Sequence, residues 1–382
     1  MVIKQKQHSS QRPAKQGRGP TAPQPNKIGA STPYHFRGKN LTPYGGLLPV
    51  ATLLEKLGFQ ALVEETITTR RITRVMSLYQ FVLALVLGLY VGFARLNQLR
   101  YIARDPILTG ILHVTKLPPQ STLWRFLASL HLNVARQILS MQRQLRERVW
   151  AAAHVKLETV TLDTDTTVHT LYGRQMGGRK SYNPKNKGKR SYQPMLTFLA
   201  ETREYLMGGL RNGDRPSGKE IVAHLESAFR ALPAGVNKIF ARADSGFYCW
   251  EAVEAYEQAR CQFVIVARKT RRLVEQLQQA AWKPSPHSDA DAECEFLYQP
   301  QGWAKACRFL ALRYESSPRP RRSSNTSCLK PALTATACLS PTWPSRSRRW
   351  CGFTTSGPGR RTSSRKPTTT PGWRPIPRAA LT

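Results

Sequence analysis

The chain has 382 residues, 58 Lys and Arg against 23 Asp and Glu, and a formal net charge of +35. That length is enough for about two domains with a real core. That charge excludes an ordinary metabolic enzyme as the default and implies a polyanionic partner, nucleic acid ahead of an anionic membrane surface. The longest apolar run, FVLALVLGLYVGFA at 81–94, has 14 residues, too few to span a bilayer, and the N-terminus carries no apolar signal region. Seven Cys without a C-x-x-C pair read as free thiols of a reducing cytoplasm.

Residues 1–44 are rich in Pro, Gly, Gln, Ser and Lys, and residues 1–50 hold 8 bases and no acid. Too little apolar surface is available there to offset chain entropy, which predicts a flexible basic arm. Residues 45–150 predict a helical, DNA-binding domain. Its apolar pattern begins at Ala51–Leu57 and Leu62; Thr73–Leu99 reads as one buried helix, and Leu132–Trp150 as an amphipathic one. Between them Ser121 is the predicted N-cap of a short helix bearing Arg125. Arg125 suits a DNA groove, although simple packing is the commoner role for such a residue.

From about residue 155 the period changes to two. ETVTLDTDTTV at 158–168 alternates and is rich in Thr and Val, so it predicts a strand. Further strands are predicted at 193–200, 204–210 and 237–243, and a continuous apolar one at 261–267, with helices over 217–232 and 250–259. This order predicts a mixed α/β layer across 155–267. Residues 293–314 read as a hairpin turning at Gln301-Gly302. Residues 316–382 hold 13 bases, ten Pro, no acid and no periodic apolar pattern, which predicts a low-complexity tail. Residues 51–315 carry 37 bases and all 23 acids, so the globular part is basic in its own right.

Period two puts Asp163 and Asp165 on one face near the C-terminal end of their strand. Asp244 ends another strand, in ARADSGFY. Acids at the ends of neighbouring strands converge on one point, repel each other without a cation, and supply the hard oxygen ligands that Mg2+ prefers. Taken singly, an acid at a strand end is more often a turn or cap residue. The surroundings change that balance. From Thr166 to Ala200 there is no acid, but there are Arg174, Arg179, Lys180, Lys185, Lys187, Lys189 and Arg190, with Tyr182 and Tyr192 flanking the densest part. A basic loop beside metal-binding acids suits a phosphate backbone, with the aromatic rings available to stack. Arg268, Lys269, Arg271 and Arg272 extend the basic set.

TLDTDTTVHTLYG, KSYNPKNKGKRSYQPMLTF and ARADSGFY, in this spacing, resemble the DDE transposases of bacterial insertion sequences, most closely the IS thirteen-eighty family. The resemblance covers about residues 40–315. It implies an RNase-H-like catalytic core, two divalent ions (Mg2+ or Mn2+), and cleavage and strand transfer of DNA at terminal inverted repeats. It implies transposon ends and target DNA as partners, a homodimer on DNA, and a cytoplasmic, nucleoid-associated setting. By the family's pattern the first acid is Asp165, with Asp163 the other choice, and the second is Asp244. The resemblance also implies a β-rich insertion over residues 268–315, in which an exposed Trp would engage DNA; Trp303 is the candidate, although a hairpin Trp more often packs.

The family's third acid, a Glu following Tyr and Arg, has no counterpart here, since nothing after Glu315 is acidic. A frameshift accounts for this. Phe353–Lys366 can be written in codons that, read from the third base, encode Y-N-Q-R-A-G-A-E-N-L-I-K, the family's missing motif. The lost Glu then lies across the codons of Arg360 and Arg361. On this reading the tail is out of frame, the site lacks one ligand, and the edge of the last core strand lies bare.

Overall fold

The computed structural model describes residues 27–32, 42–69, 76–181, 183, 186–285, 290–314 and 333–339. It divides into two compact units, residues 1–155 and 156–382. In the first, the described residues form α1 (Leu47–Lys56), α2 (Phe59–Thr66), α3 (Leu78–Tyr90), a 3-10 turn (Leu96–Tyr101), α4 (Pro106–Leu112), α5 (Gln120–Ala128) and α6 (Leu132–Ala152). Their apolar faces meet in one core that includes Leu62, Phe81, Leu87, Ile102 and Leu108. Phe81 and Phe126 stack within it, with ring centroids 4.5 Å apart.

Three expectations need correction in this unit. The predicted helix Thr73–Leu99 is shorter. The Ser77 hydroxyl and the Gln80 side chain form a reciprocal cap at the start of α3, and the chain turns at Gly92, where φ is +88°. Ser121 is not the cap of α5; Pro119 holds that position and Ser121 lies inside the first turn. Parts of the predicted arm are tied down. The Ile28 N–H donates to the Gly110 carbonyl at 3.1 Å, the Thr42 hydroxyl donates to Asp105 at 2.7 Å, and Ile28 and Tyr44 pack on the core. The rest of that arm lies outside the described residues.

The second unit contains β1 (Thr159–Thr166), β2 (His169–Thr170), β3 (Ser191–Tyr192), β4 (Met195–Leu199), β5 (Glu204–Gly209), α7 (Gly218–Arg230), β6 (Lys238–Ala243), α8 (Trp250–Gln258), β7 (Gln262–Val266), α9 (Arg271–Gln279), β8 (Lys283–Pro284), β9 (Ala292–Tyr298), β10 (Cys307–Tyr314) and β11 (Leu333–Leu339). Nine strands form one mixed sheet in the order β5-β4-β1-β6-β7-β11-β10-β9-β8, and β2 pairs with β3 in a separate ribbon. β5, β4 and β1 are antiparallel, whereas β1, β6 and β7 run parallel. Ser217 and Glu220 form a capping box that starts α7. One face of β1 and β4 carries a buried polar chain in which Thr164 and Thr197 hydroxyls lie 3.1 Å apart and His224 of α7 reaches Thr197 at 2.8 Å.

Two expectations change here as well. Residues 268–315 are not purely β, because α9 opens them behind a Thr270 cap. β9 and β10 also continue the main sheet. The tail does not leave β7 bare: β11 pairs with β7 on one side and β10 on the other. LTATACL alternates at period two, a signal hidden by its Pro- and Ser-rich surroundings and made effective by two waiting neighbour strands.

Candidate functional site

β1 and β6 are parallel neighbours in register, with Thr164 opposite Ala243. The next residue on each strand is an acid, so Asp165 and Asp244 leave the sheet side by side. Asp244 takes the cap role open to any strand-end acid: its carboxylate accepts from the Gly246 N–H at 3.0 Å and from the Thr166 hydroxyl. A Cβ at 246 would lie 2.8 Å from the Asp244 carboxylate and 3.1 Å from the Thr166 hydroxyl, so any side chain there would displace the capping carboxylate. Arg268 braces the same turn, its guanidinium donating to the carbonyls of Ser245 at 2.8 Å and Gly246 at 3.2 Å.

Capping alone does not set the electrostatics. Burial, and then the charge of Asp165, push the Asp244 carboxyl up to about 6, against the opposing pull of its hydrogen bonds and Arg268. Asp165 faces solvent, but partial desolvation still raises its carboxyl, opposed by the Thr166 N–H. Two adjacent carboxyls, both raised by burial and one also by its neighbour's charge, form a donor set that a hard divalent cation would relieve.

Asp163 stands apart from this pair. It lies opposite Arg242 in the β1–β6 register, and the two form a bidentate ion pair, with 33% of the Asp163 side chain and 17% of the Arg242 side chain exposed. Its oxygens are engaged by the guanidinium. Arg242 carried no signal in the sequence; only its register against β1 exposes its role.

The basic loop is a folded ribbon rising from the ends of β1 and β4, the end that carries Asp165. Arg174, Lys180 and Lys187 are exposed on it. Arg179 is exposed and faces Asp214 at 3.7 Å, Arg190 donates to the Gly178 carbonyl, and Lys189 lies 4.9 Å from the centre of the Tyr172 ring. The Tyr192 hydroxyl donates to the Met176 carbonyl, so this ring is part of the ribbon's own structure. Tyr172, which the spacing argument passed over, is 77% exposed. Tyr182 and Lys185 lie outside the described residues. Lys269 and Arg272 are exposed, and Arg271 pairs with Glu275 along α9. Trp303 requires correction: it is 9% exposed and packed against Tyr248, Trp250 and Phe309, so it is a core residue, not a surface ring.

A mixed sheet that delivers one acid from each of two parallel neighbours is the arrangement expected of the DDE class. The chain belongs to the family described as transposase DDE domain group 1, whose model matches residues 26–320. Among solved structures, the cryo-EM structure of a piggyBac transposase synaptic complex with hairpin DNA is similar at 11% identity and a TM-score of 0.37. The alignment covers 78% of this chain and 59% of that one, so the chain spans under two thirds of that protein's length. No curated protein matches the sequence. Among the described residues no helix is long and apolar enough to cross a membrane.

Proposed function

We propose that this chain is a transposase of an insertion sequence of the IS thirteen-eighty type, acting on terminal inverted repeats and target DNA as a homodimer, with Asp165 and Asp244 as its first two catalytic acids. The observation that carries this reading is the emergence of those two acids side by side, with Asp244 raised toward neutrality. The strand order, three antiparallel strands followed by two parallel ones, supports an RNase-H-like core. Asp165 and Asp244 would hold divalent metal, Mg2+ or Mn2+, which supplies Lewis-acid stabilisation of the scissile phosphate. Asp163 neutralises Arg242, Arg268 fixes the Asp244 turn, and the ribbon's exposed bases attract the DNA backbone. The helical unit adds further DNA contacts.

This copy lacks a third acid because its reading frame departs after residue 315. The family match ends at residue 320, which supports that point of departure. Among the described residues no group of three His, Cys, Asp or Glu is placed to hold a metal. The lack of any acid after Glu315 in the sequence supports a second reading, in which the chain occupies transposon ends without cutting them and inhibits an active enzyme.

The coding DNA tests the frame: codons at 353–366 incompatible with the shifted motif would end that part. A frame-restored chain should nick labelled transposon ends with Mn2+, and Asp165→Asn or Asp244→Asn should abolish nicking. The chain as it stands should bind the same ends without cleaving them. If the restored chain's cleavage is unchanged by either substitution, the assignment is wrong.

A further inference from the structure

The region between α2 and the end of α6 is unusually one-signed. From residue 67 to 152 the sequence holds twelve Lys and Arg and two acids, Asp105 and Glu147, and Glu147 pairs with Arg143 at 3.1 Å. Asp105 is consumed locally. It caps α4 by accepting from the Ile107 N–H at 3.0 Å and the Leu108 N–H at 3.4 Å, and it accepts from the Thr42 hydroxyl at 2.7 Å. It therefore offers little compensation to the cations around it.

The 3-10 turn Leu96–Tyr101 packs against α5. Each element buries one side, through Leu99 on the turn and Leu123 and Phe126 on α5. Each also exposes aromatic and basic groups. Tyr101 is 64% exposed and Trp124 is 61% exposed. Arg95, Arg100, Arg104 and Arg125 are exposed. The Arg100 guanidinium lies 5.0 Å from the centre of the Tyr101 ring, and Arg125 is held over its own helix by the Ser121 carbonyl at 3.1 Å. These contacts hold the guanidinium groups against their own elements without neutralising them.

We propose that the surface formed by this turn and α5 docks the phosphate backbone of duplex DNA, with Arg100 and Arg125 as phosphate contacts and Tyr101 and Trp124 packing beside the sugars. Charge complementarity selects the partner. A protein partner would require acids of its own to match four exposed arginines, whereas a duplex supplies one negative charge per about 1.7 Å of axis. The proposal rests on the reading of the chain as acting on DNA, and it adds which face of the helical unit makes the contact.

The test uses the full chain and a labelled duplex of arbitrary sequence, with binding followed by anisotropy from about 50 to 200 mM salt. Arg100→Gln combined with Arg125→Gln should weaken binding and lower the slope of log affinity against log salt by about two, with an unchanged melting temperature. Arg100→Lys combined with Arg125→Lys should keep the slope. An unchanged slope in the Gln variant overturns the proposal. So does a variant that keeps duplex binding but loses binding to vesicles containing phosphatidylserine, which would assign the face to a membrane. The salt slope reads binding without cleavage, whereas nicking by the frame-restored chain reads the two acids, so failure of either idea is read separately.

Discussion

Asp244→Asn should stabilise the metal-free protein at neutral pH, against the usual direction of a buried substitution. The ordinary carboxyl value is 3.8, and Asp244 stands at about 6, raised first by burial and then by Asp165. That difference costs the ionised form about 3 kcal/mol, and partial solvent access brings the figure to roughly 2 kcal/mol. The folded state binds this proton more tightly than the unfolded chain does. Its contribution to stability is therefore fully present below pH 4 or so and is lost as pH rises through about 6. Asparagine keeps the side-chain oxygen that accepts from Gly246 and removes the charge. In a domain of this size 1 kcal/mol moves the melting temperature by about 2–4 °C, so the variant should melt about 5 °C higher at pH 7.5 with chelator present. At pH 4 the two proteins should melt together. Adding Mn2+ at pH 7.5 should raise the wild-type midpoint and leave the variant's unmoved. An Asn variant that melts lower than wild type at pH 7.5 would refute the electrostatic account.

Asp163→Asn should behave in the opposite way: it removes the carboxylate charge facing the largely buried Arg242 guanidinium, lowers stability by about 2 kcal/mol in chemical denaturation, and leaves the Mn2+-induced rise in melting temperature intact. Loss of that rise would return Asp163 to the metal site. Trp303→Ala should cost about 3 kcal/mol by emptying the pocket between Tyr248, Trp250 and Phe309, without changing the salt dependence of DNA binding. A changed salt slope with unchanged stability would restore its role as a surface ring.

The sequence made some of this legible and hid the rest for identifiable reasons. β1 was readable because Thr and Val alternate through 158–168, and Asp244 because a strand ends where Ser and Gly follow. Period two could not separate Asp163 from Asp165, since it places both on one face. The separation depends on Arg242, which lies 79 residues further along the chain and meets Asp163 only through the β1–β6 register. Arg268 and Trp303 looked like surface residues for a similar reason. One is drawn inward by two carbonyls and the other by three aromatic rings, and all of those partners become neighbours only through the fold. The Ser121 cap failed on a local competition, because Pro119 has no N–H to lose and already marks the boundary of α5.

β11 shows how differently a sheet and an active site depend on sequence. It fills the space between β7 and β10, with Ala337, Cys338 and Leu339 opposite Val266, Ile265 and Val264, and its whole length opposite Arg308–Tyr314. Val264, Ile265, Phe309 and Ala311 are fully buried in the strands beside it. A strand ladder asks only for backbone groups and a period-two pattern, and LTATACL meets that demand even within a Pro- and Ser-rich tail. A catalytic carboxylate must be one residue type at one place, and no acid follows Glu315. On the proposed reading such a chain retains a continuous sheet while lacking its third acid. Truncation after residue 320 should consequently be worse for folding than the tail itself, because it opens both the β7 and β10 edges to pairing with other chains. Size-exclusion chromatography with light scattering should show the truncated chain aggregated and the full chain dispersed. A truncated chain that stays monodisperse with an unchanged melting temperature would show that the tail adds nothing to the sheet.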